Sequence, residues 1–175
     1  MRNILLVIDM QNDFIDGSLG TAEAVAIVPA VAEKIRSYPR EDVFATMDTH
    51  GPDYLETQEG QKLPVVHCVK GTDGWQIRPE IAALIPPENV YEKPTFGCVA
   101  LAADLQEYYE ETEDIAVELV GLCTDICVVS NALLLKAAMP EVRISVDASC
   151  CAGVTPEKHL AALETMRSCQ IEVKA

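Results

Sequence analysis

Positive charge is scarce in this chain. Thirteen lysines and arginines stand against 28 aspartates and glutamates, a formal net charge of −15. Such a surface repels a phosphate backbone, which excludes nucleic acid as a partner. Long apolar runs are missing too. The opening stretch MRNILLVIDMQNDF meets Asp9, Gln11, Asn12 and Asp13 too early to span a bilayer, and no small-residue cleavage site follows it. No membrane partner is expected, and the cytoplasm is the expected location. Aromatics make up only 5% of the chain, with one tryptophan, and histidine occurs three times. The placement of each histidine therefore carries information.

Cysteine is not scarce, but it lacks organisation. There are seven, an odd number, and no CxxC pair. That removes the common zinc and redox patterns built on CxxC, and in a reducing compartment none of the seven needs a partner. Cys150 and Cys151 are adjacent and poorly placed to bridge each other. Most of the seven read as buried, inert thiols. What remains is a globular composition, 49% apolar and 23% charged over 175 residues. It suits one domain, 1–175, with its own core.

NILLVID (3–9) is a continuous apolar run, as in a strand buried on both faces. DVFATMD (42–48), NVYEKP (89–94), DIAVELVG (114–121), VRISVDA (142–148) and IEV (171–173) read as further strands, with Gly121 stopping the fourth. VVHC (65–68) is brief and apolar, and 51–64 reads as an irregular loop. Helical spacing marks 21–39, whose regular part is expected to start only at Pro29, and also 77–86, 98–110, 124–139 and 155–169. Thr124 is the expected N-cap of the fourth helix, with Asp125 in its first turn. Thr155 caps the fifth, with Pro156 at its first position. Alternating strands and helices imply right-handed crossovers. The expected fold is a three-layer α/β/α domain with a mostly parallel six-stranded sheet.

Ligands of such sheets bind beyond the C-terminal ends of the strands. Four places qualify: Asp9 after the first strand, Asp48 and His50 after the second, Lys93 at the end of the third, and Cys123 and Cys127 after the fourth. A cysteine in the first turn of a helix gains thiolate stability from the free N–H groups and the dipole, and a nearby lysine adds to it. A carboxylate within reach is a general base, and the same N–H groups suit a tetrahedral oxyanion. Asp9, Lys93 and Cys127 thus form a working set for acyl transfer through a thioester. A buried structural thiol is the other reading of Cys127. Asp48, His50 and His67 are a metal set by residue type alone.

LLVIDMQNDFIDGSL, FATMDTH, LPVVHCVKGT, YEKPTFG and GLCTDICV stand in the order and spacing of the isochorismatase-like cysteine hydrolases. Within that family the chain most resembles the nicotinamidases, over nearly its whole length. The resemblance implies an Asp9–Lys93–Cys127 triad. It also implies a non-proline cis peptide between Leu122 and Cys123, which turns the N–H groups of Cys123 and Cys127 towards the substrate oxygen. It implies a divalent metal (zinc, iron or manganese) held by Asp48, His50 and His67, which binds the substrate's ring nitrogen and water. Glu59 is the favoured additional ligand and Glu56 the alternative. Phe14 matches an aromatic of the ring pocket and Phe96 joins it, core packing being the other reading of both. Gln11 is placed beside Asp9 in the pocket, or else is a solvated loop residue. Many nicotinamidases carry tryptophan three residues before the last metal histidine, where this chain has Pro64, so one wall of the pocket differs. Lys70 reads as surface and His159 as structural.

The implied activity is hydrolysis of nicotinamide to nicotinate and ammonia by a homo-oligomeric, metal-dependent amidase. Isochorismatases proper lack the metal set, which favours the amidase branch. The alternatives are a vinyl-ether hydrolase, an amidase for another small amide, and a non-catalytic binding scaffold.

Overall fold

The computed structural model describes residues 1–112 and 114–175. Six strands, β1 (Arg2–Ile8), β2 (Val43–Asp48), β3 (Val90–Lys93), β4 (Ile115–Leu122), β5 (Arg143–Ala152) and β6 (Glu172–Lys174), form one sheet in the order β3-β2-β1-β4-β5-β6. Every pairing is parallel. The helices are α1 (Asn12–Ile15), α2 (Ala22–Arg36), α3 (Gln58–Lys62), α4 (Pro79–Ala82), α5 (Val99–Thr112), α6 (Val129–Ala138) and α7 (Pro156–Ser168).

Alternation along β1 builds the two halves of the core. Ile4, Leu6 and Ile8 face the layer of α5, α6 and α7, whereas Leu5 and Val7 face α1, α2 and α4. With both faces covered, the strand reads as an unbroken apolar run. The same alternation sends Cys150 to the α2 side and Cys151 to the α7 side, so these neighbours point apart. All seven cysteines are free thiols.

Three expected boundaries shift. Helix α2 runs unbroken through Pro29. Pro29 cannot donate to the Val25 carbonyl, and both residues lie on the exposed face of the helix. Gly121 does not stop β4. It lies inside the strand at φ 117°, where the β4–β5 register shifts, and a Cβ there would collide with the Ile8 carbonyl oxygen. β5 continues to Ala152, past the expected end at 148.

The register puts the candidate chemistry on one edge. Ile8 pairs with Thr46 and Gly121, and Asp48 pairs with Lys93. Strand order reverses beside β1, so the crevice opens between the ends of β1 and β4.

Candidate active site

Asp9 follows β1 in the left-handed region, at φ 46°, a conformation that aspartate tolerates better than most residues. It is fully buried. Its Oδ2 lies 2.7 Å from Lys93 Nζ, and its Oδ1 accepts a 2.6 Å hydrogen bond from Thr46 Oγ1. Burial raises its pKa above the ordinary value, and Asp48 adds to the rise. The Lys93 charge and the Thr46 bond oppose it. Lys93 is itself buried and stays protonated. Burial would lower its pKa, but Asp9, Cys127 and Asp48 together outweigh that.

Lys93 Nζ also lies 3.4 Å from Cys127 Sγ. Cys127 sits in a π-helical turn, Thr124–Val128, joining β4 to α6. The peptide between Leu122 and Cys123 is cis, as the resemblance implies. The expected depression of the Cys127 pKa does not occur. Burial and the Asp9 charge push it well above the ordinary thiol value, against the opposing pull of Lys93. Cys127 and Asp9 both hold a proton more tightly than they would in water. Thr124 is not a cap either. Cys123 holds the N-cap position, and Thr124 is fully buried with its hydroxyl on His159.

The second constellation converges as expected. One ligand atom from each of Asp48, His50, Glu59 and His67 lies within 4.8 Å of all the others. Asp48 Oδ2 is 2.9 Å from His50 Nε2 and 3.4 Å from His67 Nε2, and Glu59 Oε1 is 3.8 and 3.9 Å from the same two nitrogens. His67 Nδ1 donates to the Val65 carbonyl at 2.8 Å, which leaves its Nε2 lone pair for the cluster. Two imidazoles and two carboxylates suit a divalent cation of the zinc, iron or manganese type. Glu59, on α3, is the acid in this cluster, and Glu56 is not. Thr57 caps α3 through the Gly60 N–H and so aims Glu59 inwards.

Asp48 joins the two groups, since its Oδ1 lies 3.4 Å from Lys93 Nζ. Burial would raise its carboxyl. The hydrogen bonds to His50 and His67 and the Lys93 charge instead hold it well below the usual carboxylate range.

A cavity of about 100 Å³ lies over these groups. Asp48, Glu59, His67 and Cys127 form its polar floor, and Phe14, Leu63, Phe96 and Ile126 supply much of its apolar wall. Phe14 packs 5.5 Å from the His67 ring, and Phe96 stays 43% exposed at the rim. Gln11 is not part of this lining. It is fully buried, accepts from the Asp48 N–H and donates to the carbonyls of Asp48 and Trp75, all at 2.8 Å. It holds the backbone beneath the cluster instead of facing a substrate. Lys70 is on the surface, paired with Glu92 at 2.6 Å.

Several contributors escaped the sequence reading. Tyr54 packs against His50 in a tilted contact and against His67 edge-on, with ring centroids 4.7 and 4.9 Å apart. The Asn131 amide accepts from the Cys98 N–H and donates to the carbonyls of Phe96 and Cys127, tying the Lys93 loop to the cysteine turn. Nothing local marks either residue. Only Thr46, two residues before Asp48 and pointing the same way along its strand, was open to period-2 reasoning.

An isochorismatase domain model matches residues 3–174. The chain belongs to the isochorismatase family. A family relative, the nicotinamidase/pyrazinamidase of Mycobacterium tuberculosis, is 28% identical over 182 residues, covering 97% of this chain and 96% of that protein. The pyrazinamidase of Pyrococcus horikoshii, solved in complex with zinc, superposes with a TM-score of 0.78 at 26% identity, covering 99% of this chain and 98% of its own. The N-carbamoylsarcosine amidase of Thermoplasma acidophilum superposes with a TM-score of 0.76 at 29% identity, covering 99% and 96%. The six-stranded parallel sheet is thus the isochorismatase-like hydrolase fold.

Proposed function

We propose that this isochorismatase-family hydrolase is a metal-dependent cysteine amidase and that nicotinamide is its substrate. One observation carries the reading. Lys93 Nζ contacts Asp9, Cys127 and Asp48 at once, so the nucleophile and its base are joined to the metal cluster, and Cys127 lines one small cavity with Asp48, Glu59 and His67 of that cluster.

In this reading Asp9 takes the Cys127 proton as the thiolate attacks the carboxamide carbon. Lys93 balances the charge of the two anions. The backbone N–H groups of Cys123 and Cys127 hold the oxyanion. The C–N bond breaks, and Asp9 passes its proton to the departing ammonia. Water then hydrolyses the thioester, which releases the acid and restores the thiol. Asp48, His50, Glu59 and His67 would hold the cation, which would supply a Lewis acid to the substrate.

The cavity is small, about 100 Å³, with an apolar wall above its polar floor, which supports a small substrate.

Replacing Cys127→Ala is expected to abolish ammonia release from nicotinamide in a coupled assay, and full retention would sink the reading. Chelation is expected to remove the activity, with zinc, iron or manganese restoring it. Vinyl-ether cleavage of isochorismate that survives chelation would point to the isochorismatase reaction instead.

A further inference from the structure

The turn that carries Cys127 is anchored from outside itself. Its N-cap residue, Cys123, makes no side-chain capping bond. Thr124 opens the turn, and its Oγ1 lies 2.8 Å from Nδ1 of His159 on α7. Next to it, Asp125 Oδ1 accepts from the Val154 N–H at 2.9 Å. Gly153 lets these parts meet. A Cβ there would lie 2.8 Å from the His159 backbone nitrogen and 2.9 Å from Asp125 Oδ1. His159 is itself well seated, because α7 starts from a Thr155 cap and Pro156. Burial lowers the His159 pKa, against the opposing effect of Asp125, so near neutral pH the imidazole is uncharged and shares one hydrogen bond with the hydroxyl.

None of this involves the substrate cavity, whose lining does not include His159. The contact bears instead on the reacting atom. Thr124 is three residues before Cys127, and Asn131 grips the Cys127 carbonyl from the other side. A turn held at both ends keeps Cys127 Sγ at its 3.4 Å contact with Lys93. Small displacements of a nucleophile are costly, on the order of a hundredfold for about 1 Å.

We propose that His159 is a positioning residue for the nucleophile, acting through Thr124 to fix the turn in which Cys127 meets Lys93. The inference rests on Cys127 being the nucleophile, but not on which amide it opens.

The test compares H159A, H159N, T124V, T124S and the double variant T124V/H159A in the full chain. Two quantities are read: the rate of iodoacetamide labelling at Cys127, followed by peptide mass spectrometry at fixed pH, and kcat and KM for nicotinamide. Thermal midpoints report folding. Loss of one hydrogen bond is expected to slow labelling and kcat by about three- to tenfold in H159A and T124V, with KM unchanged. Asparagine places a polar atom where Nδ1 stood, so H159N and T124S should return to within about twofold of the parent, and the double variant should be no slower than the worse single one. A parental or faster labelling rate in H159A, a loss that H159N does not rescue, or additive losses in the double variant would each overturn the proposal. If H159A does not accumulate as folded protein, T124V decides alone. Should the parent release no ammonia from nicotinamide, the substrate assignment fails while the labelling comparison still decides the role of His159.

Discussion

Asp9 receives Lys93 on one oxygen and the Thr46 hydroxyl on the other, with no water-exposed surface. The Thr46 bond lowers its proton affinity. Replacing Thr46→Val therefore raises the Asp9 pKa further. The base form is then lost at a higher pH, so the acidic limb of the kcat/KM profile is expected to move upwards and T46S to move it back. A profile unchanged in T46V would remove Thr46 from the account. At this scale the sequence was most legible where chemistry sits at a strand end. Asp9, Asp48, His50, Lys93 and Cys127 all fell out of that rule. Glu59 was favoured over Glu56 from its place in the sequence, and the structure puts Glu59 in the cluster through a helix cap two residues before it. Gln11 and Asn131 were opaque because their work is to bond backbone groups distant in sequence. The raised proton affinity of Cys127 was not legible because burial outweighs the helix terminus, and burial is a property of the assembled cavity.

Among the elements, the six strands and the four longer helices were legible from apolar runs and 3.6-residue spacing. The errors lie where tertiary contact overrides local preference. Pro29 shows this best. Exposed proline in a helix interior is about 3 kcal/mol less favourable than alanine, yet α2 continues because its buried face packs on both sides of the proline. P29A is expected to raise stability by roughly 1–3 kcal/mol, less any gain in unfolded-chain entropy, read from urea unfolding midpoints. A lower midpoint would mean that the helix bends around Pro29 to useful effect. The predicted helix over 77–86 shrinks to Pro79–Ala82, since Pro86 and Pro87 close it and one turn suffices to bury Ile81.

Over the whole molecule, opposite charges meet in a partly buried polar cluster on the α2 face of the sheet. Glu118 lies in the middle of β4. It accepts from the Tyr38 hydroxyl at 2.6 Å and pairs with Lys174 at 2.7 Å and Lys34 at 3.4 Å, and Lys34 also pairs with Asp147. Burial would raise the Glu118 carboxyl, but the bonds from Lys174 and Tyr38 hold it below the ordinary value. A depressed folded pKa contributes stability above the unfolded glutamate value of about 4.3, and that stability is lost as the pH falls through the lower folded value. E118Q is therefore expected to be less stable than the parent at neutral pH and to lose less stability on acidification, as read from unfolding midpoints at pH 7 and about pH 3.5. Parallel acid curves would rule out Glu118 as the source.

The site draws Asp9, Asp48, Lys93 and Cys127 from the ends of four strands that are separate in sequence and adjacent in the sheet. No single hairpin or helix pair contains two of them in working contact. Pairings of such high sequence separation close late in folding. For the proposed catalytic set, turnover is thus expected to be a readout of the finished sheet: during refolding it should return with the last docked strand and lag behind the recovery of helical signal.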